Sequence, residues 1–293
     1  MNFVNANARV YVPDGAELSA ALSRTTDLCI CAHQDDAEIM AFCAVSACYE
    51  RADRWYTGVT MSNGAGSPRA GRYAAYTDEQ MMAVRIQEQE RAAELGKYAA
   101  QFQLGYSSAM LKDMRYGAPA DELVSILRRT KPVRVYLHNP ADKHDTHLAV
   151  FVRALEALRS LSAQERPEKV YGMEVWRALD WLMPEDKVLF DCSEHIGLAE
   201  EILRAFDSQV AGGKQYDRAA VGRWYANATF LESHETDGAP AVSYGIDLTP
   251  LLDGGDPADY YPALRDAGME NPEEDLVVIL DQAPAGDLPY SWA

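Results

Sequence analysis

Four of the six histidines in this 293-residue chain stand beside carboxylates in two short segments. The first reads Ala32-His33-Gln34-Asp35-Asp36-Ala37-Glu38; the second runs from His138 through Asp142, His144 and Asp145 to His147. Two imidazoles and one carboxylate suffice to hold a catalytic zinc and leave a position for water. Such a cation lowers the pKa of that water from about 15.7 to about 7. A second carboxylate, off the metal, can take the water's proton. A further imidazole can stabilise an oxyanion or protonate a leaving nitrogen. The two segments together hold this inventory, and the residues alone leave open which of Asp35 and Asp36 would face the metal.

Both segments follow short apolar runs. The pattern of the chain predicts strands over Leu28–Ala32, Tyr56–Thr60, Gln101–Gly105, Val133–Leu137 and Val170–Met173, separated by amphipathic stretches. That alternation implies an α/β fold of three layers: a Rossmann-like, mostly parallel sheet with helices on both faces. In a sheet ordered 3-2-1-4-5 the first and fourth strands are neighbours. They would bring His33, Asp35 and Asp36 to the same carboxyl edge as the His138–His147 loop, where open α/β sheets bind ligands. Thr77 and Gln80 form an expected capping box for a helix ending at Gly96. Leu148, Phe151, Leu155 and Leu158 give a later helix one apolar face. Two more helices are expected over Glu194–Val210 and Gln215–Phe230. Ser62-Asn-Gly-Ala-Gly-Ser-Pro68 follows the second strand and should rim the same edge.

Taken singly, each segment has a plainer reading. Aspartates at a helix start satisfy free amides and the macrodipole without any catalysis. Arg85 could be a surface ion-pair partner, His138 a satisfied buried histidine, and Trp176 or Asp180-Trp181 core or lid packing. It is the joint occurrence of the two segments after two strands that favours a metal.

At this point the sequence resembles the LmbE/PIG-L family of zinc-dependent N-deacetylases. Residues 32–38 are similar to its Ala-His-Pro-Asp-Asp-Glu-type signature, His144-Asp-Thr-His147 to its later His-x-x-His motif, and Arg85-Ile-Gln-Glu88 to the helix between them. The resemblance spans roughly residues 25 to 235. It implies that His33, Asp36 and His147 bind zinc, one divalent cation per chain. It implies that Asp35 is the general base, that His144 stabilises the oxyanion, and that Arg85 lies near the substrate or braces the site. The implied reaction removes an N-acyl group, expected to be N-acetyl, from an amino sugar or glycoconjugate. Two departures stand out. Gln34 replaces the usual proline, and Thr146 replaces the Asp that commonly precedes the last histidine, leaving Asp142 or Asp145 to substitute for it.

Composition narrows the alternatives. A net charge of −18 disfavours nucleic acid or an anionic membrane surface as partner. No apolar run reaches the roughly 20 residues of a membrane span. The first residues lack the pattern of a secretory signal, and five cysteines, Cys29, Cys31, Cys43, Cys48 and Cys192, fit free thiols and a cytoplasmic location. From Leu251 to Ala293 the chain carries ten acidic residues and one basic. The expected organisation is a metal-dependent deacetylase domain over residues 1–240 and an acidic appendage over 241–293, packed on it through a strand at Leu276–Leu280. A homo-oligomeric state is left open. The alternatives are an amidase of a thiol conjugate or of a non-sugar N-acyl amine, a facial-triad iron oxygenase, and a metal-retaining binding protein without turnover, which Thr146 keeps in view.

Overall fold

In the computed structural model, which describes residues 3–257, eight strands form one sheet. They are β1 (Arg9–Tyr11), β2 (Asp27–Cys31), β3 (Tyr56–Ser62), β4 (Ala100–Tyr106), β5 (Arg134–His138), β6 (Lys169–Met173), β7 (Val188–Asp191) and β8 (Val242–Asp247). The order is β1-β4-β3-β2-β5-β6-β8-β7. The central five, β4-β3-β2-β5-β6, are parallel and reproduce the expected 3-2-1-4-5 order. The outer strands β1, β8 and β7 pair antiparallel.

The central strands are buried on both faces, as a parallel sheet between helices requires. Along β2 the side chains alternate: Leu28 and Ile30 join one apolar core, Cys29 and Cys31 the other. All five cysteines are buried, free thiols, so Cys29 and Cys31 act as small core residues. Thr77 and Gln80 complete the capping box of the helix Asp78–Leu95.

Two features differ from the sequence expectations. The stretch 194–210 is not one helix: Ile196–Arg204 ends, Phe206 takes a non-helical backbone, and a short turn follows at Asp207–Gln209. The boundary expected at residue 240 precedes β8, which lies inside the sheet between β6 and β7. Residues 242–253 are therefore integrated with the main sheet, where Val242, Tyr244 and Ile246 enter its core. The strand expected at Leu276–Leu280 lies outside the described residues. Among those residues, no helix is long and apolar enough to cross a membrane.

Candidate metal centre and active site

β2 and β5 lie side by side and deliver both motif segments to the carboxyl edge. After Ala32 the chain turns sharply. Asp35 sits at φ 88°, a left-handed conformation costly for a residue with a Cβ, and the helix Asp36–Met40 starts directly behind it. The turn aims His33, Asp35 and Asp36 at one point. From β5, the chain loops through Asp142 to His144, which caps the helix Asp145–Arg159. His147, in the first turn of that helix, faces back toward β2.

Three atoms meet there. His33 Nδ1 lies 3.1 Å from His147 Nε2 and 3.2 Å from Asp36 Oδ2, and His147 Nε2 is 3.2 Å from the same oxygen. Two ring nitrogens and a carboxylate oxygen held this close repel unless a proton or cation sits among them. Burial alone would lower the His147 pKa, but Asp36 and Asp142 push it up to about 9. Burial would raise that of Asp36, yet His147 and His33 hold it well below the usual range. The centre thus demands positive charge, and its N, N, O donors are those zinc takes.

Two overlapping sets of donors could hold an ion: His33, His144 and His147, or Asp36, His138 and His147. The hydrogen bonds discriminate between them. His138 Nε2 accepts the Ala32 amide at 2.9 Å, so its lone pair is spent. His138 is fully buried and its ring stacks on that of His147, 3.9 Å between centroids. It packs beneath the centre. His144 Nδ1 likewise accepts the Thr146 amide at 3.2 Å, so the neutral ring carries its proton on Nε2. Burial, then His147 and His33, lower its pKa, which keeps it neutral. That leaves His33, Asp36 and His147; Asp36 Oδ2 accepts the His33 amide at 2.7 Å, but a carboxylate oxygen keeps a second lone pair for a cation.

The residues behind the centre are ordered by buried charge. Asp142 Oδ2 lies 3.4 Å from His147 Nδ1, and its other oxygen accepts the His144 amide at 3.1 Å. Asp142 therefore backs His147; it also pulls the His144 pKa up, but less than burial, His147 and His33 push it down. Gln34, in the proline's place, is buried and donates to the Ser62 carbonyl at 3.2 Å, tying the turn to β3. Arg85 is only 1% exposed. Its guanidinium donates to Asp35 at 2.6 Å, to Glu88 at 2.8 Å and to the Gln34 carbonyl. Burial raises the Asp35 pKa, Arg85 opposes this and Asp36 adds to it, leaving about 6.

The centre opens into a cavity of about 350 Å³. Its walls include His33, Asp35, Asp36, Arg85 and His144 from the expected set, with Ser62–Pro68 along one rim as the sequence suggested. Gly64 is required there: at φ +74° it lies so close to Gln34 and Arg85 that an added Cβ would fall within 2.9 Å of the Arg85 side chain. Trp176 lines the cavity; Trp181 packs against the core. The opposite rim comes from the segment Asp207–Tyr216, which sequence reasoning left without a role. Gln209, Lys214 and Tyr216 reach the cavity, while Ser208 bonds Glu88 through its amide and hydroxyl, at 2.5 and 2.8 Å. No periodicity marks this segment, because a π-helical turn and Gly213 at φ 92° shape it. His195 caps a helix and His234 lies on an exposed loop, both away from the site.

Residues 28–158, which hold both motif segments and Arg85, match the family model PIG-L, described as GlcNAc-PI de-N-acetylase. That match covers 131 of the 293 residues. None of the curated proteins matches it. Solved structures share the fold. N,N'-diacetylchitobiose deacetylase from Pyrococcus horikoshii aligns with a TM-score of 0.59 at 16% identity, over 78% of this chain and 85% of that one. The A40926 pseudoaglycone deacetylase Dbv21 aligns at 0.57 and 15%, over 76% and 97%. GalB, the 4-carboxy-2-hydroxymuconate hydratase from Pseudomonas putida, aligns at 0.55 and 17%, over 76% and 95%. The shared fold thus carries deacetylases and a hydratase, so the reaction must be argued from the site.

Proposed function

We propose that the protein is a zinc-dependent N-deacylase acting on an N-acetyl or related N-acyl group of an amino sugar or glycoconjugate. The observation that carries this reading is the triangle of His33 Nδ1, Asp36 Oδ2 and His147 Nε2, with edges of 3.1 to 3.2 Å, beside a carboxylate that titrates near neutrality. These three residues would hold the cation. When bound, a divalent ion there supplies acidification of a water and polarisation of an acyl oxygen.

The chain's own groups do the rest. Asp35, with a pKa of about 6, is ionised at neutral pH and basic enough to accept the proton of the attacking water. Arg85 holds it in place through a 2.6 Å hydrogen bond, which makes Arg85 a brace rather than a substrate ligand. His144, neutral and protonated on Nε2, donates to the acyl oxygen as negative charge develops on it. Asp35 then returns its proton to the leaving nitrogen, so amine and carboxylate are the products. Ser62, Asn63, Ser67, Ser108 and Gln209 along the cavity offer the hydroxyl and amide partners that a polyhydroxylated ring needs.

The test is acetate release from a panel of N-acetylglucosamine conjugates by protein stripped of metal and reloaded with zinc. Asp35→Asn should lower turnover at least about a hundredfold, the usual worth of a general base, while zinc binding persists. Zinc binding without hydrolysis across the panel would reject the deacylase and favour a binding protein.

A further inference from the structure

The cavity has a second lobe. Past Trp176, Lys214 and Tyr216 it widens into a space of about 290 Å³ that Asp35 and Asp36 also line, so it begins at the reactive centre. The two lobes differ in chemistry. The first presents hydroxyls and amides; the second is walled by Ile39, Val175, Ala219 and Ala220. Trp176 and Tyr216, ring centroids 6.3 Å apart and edge to face, form the neck between them.

The second lobe is lined by two carboxylates and two cations. Its carboxylates are committed, Asp35 to Arg85 and Asp36 to His33 and His147. Of its cations, Arg223 acts through space on the buried Glu174 carboxylate, and Lys214 pairs with no carboxylate among the described residues. Lys214 Nζ lies 5.1 Å from the centre of the Trp176 ring, and Arg223 donates to the Val175 carbonyl. A cation without a carboxylate partner and a second one shared with Glu174, on one apolar wall, suit an anion.

An amide whose carbonyl lies at the neck has two halves to place. A polyhydroxylated amine half matches the first lobe and leaves the acyl half to the second. That space is roughly ten times the ~30 Å³ one water occupies in the liquid, far more than an acetyl methyl fills. We propose that the second lobe receives the acyl half of the substrate and selects a chain longer than acetyl that ends in a carboxylate. The chain body would lie along Ile39, Val175 and Ala220, with its carboxylate between Lys214 and Arg223. This rests on the deacylase reading above and names its substrate class more narrowly.

Binding and turnover test it separately. On zinc-loaded protein, calorimetry with adipamic acid and hexanamide should show the acid binding at least about tenfold tighter, the worth of one charge-assisted hydrogen bond. The double variant Lys214→Met/Arg223→Met should erase that preference. In turnover, N-adipoylglucosamine should exceed N-acetylglucosamine in kcat/KM by about tenfold or more, a ratio that Ala220→Trp, filling the lobe, should collapse. Equal binding of the two probes overturns the proposal, as does a preference that survives in the double variant or faster turnover of the acetyl compound. If no N-acylglucosamine is hydrolysed while the binding preference holds and depends on Lys214 and Arg223, the lobe stands and the deacylase reading falls.

Discussion

Replacing Arg85 by Met should move the acid limb of the pH–rate profile upward. The Arg85 guanidinium lies 2.6 Å from Asp35 Oδ2, both side chains nearly inaccessible to water. Charge centres about 4 Å apart at an effective dielectric of ~20 interact by about 4 kcal/mol. At about 1.4 kcal/mol per pKa unit that is an upper bound near 3 units, and a neighbouring Arg commonly depresses an Asp by about 1–3. The Asp35 pKa, about 6 in the cation-free protein, should therefore rise by about 1–3 units in the variant. A bound cation lowers it in parent and variant alike, so the shift between them is the quantity to measure. With a limb moved from 6 to 8, the ionised fraction at pH 7 falls from about 0.9 to about 0.1. The expected result is a loss of about tenfold in kcat/KM at pH 7 that is regained above pH 9. Arg85→Lys keeps the charge and should leave the limb near that of the parent. Melting temperatures separate this from unfolding, since Glu88 and Asp35 both lose a partner. A variant that stays folded, loses activity equally at every pH and keeps the parent's limb would refute the bracing role.

Three further expectations follow from the same geometry. His147, raised to about 9, is protonated in the cation-free protein at neutral pH; zinc binding should expel about one proton, read as a buffer-dependent binding enthalpy, and apparent affinity should climb about tenfold per pH unit up to ~9. Gly64→Ala should cost both activity and stability, because the new Cβ falls within 2.9 Å of Arg85 in a left-handed backbone; strain of this kind costs about 1–3 kcal/mol, and unchanged melting would count against it. Glu38 is fully buried and its pKa is raised from 4.5 to about 7, by burial first, against the Tyr98 and Gln89 hydrogen bonds. Its folded state holds the proton more tightly than the unfolded, so stability should fall as pH rises from 4.5 to 7; Glu38→Gln should remove a pH dependence of about 3 kcal/mol, and parallel denaturation curves for parent and variant from pH 4 to pH 8 would contradict it.

The parallel core of the sheet was legible because its five strands are short, largely buried runs, several of them apolar throughout, and helical patterns separate them. The same regularity put His33 and His147 on one edge, over a hundred positions apart in sequence. What escaped has local causes. β1 has three residues and β7 four, too short for periodicity to register. β8 follows a Gly-Ala-Pro stretch that reads as a linker, yet it inserts between β6 and β7. The second rim, Asp207–Tyr216, is built from a π-helical turn and positive-φ residues, which carry no hydrophobic pattern. For Arg85 the residues alone left a surface ion pair open beside a place in the site, because a charged side chain on a helix is usually solvated. Its burial depends on Asp35, Glu88 and the Gln34 carbonyl, contacts that only the folded chain brings together.

The Thr146 departure shows how the site reassigns a role without losing it. An acid before the last histidine could lend charge to His144 and favour its imidazolium. Here the Thr146 side chain is buried and cannot do so; its backbone amide binds His144 Nδ1 instead. That single bond selects the Nε2–H tautomer, while burial and two neighbouring imidazoles keep the ring neutral. In the proposed reaction a neutral donor would stabilise a developing oxyanion without handing over a proton cheaply, so proton delivery to the leaving nitrogen would fall to Asp35. The negative charge appears instead at Asp142, against His147, where it strengthens an imidazole that would hold the cation. The two histidines of the His-x-x-His segment are thereby set to different tasks by different groups, an amide for one and a carboxylate for the other.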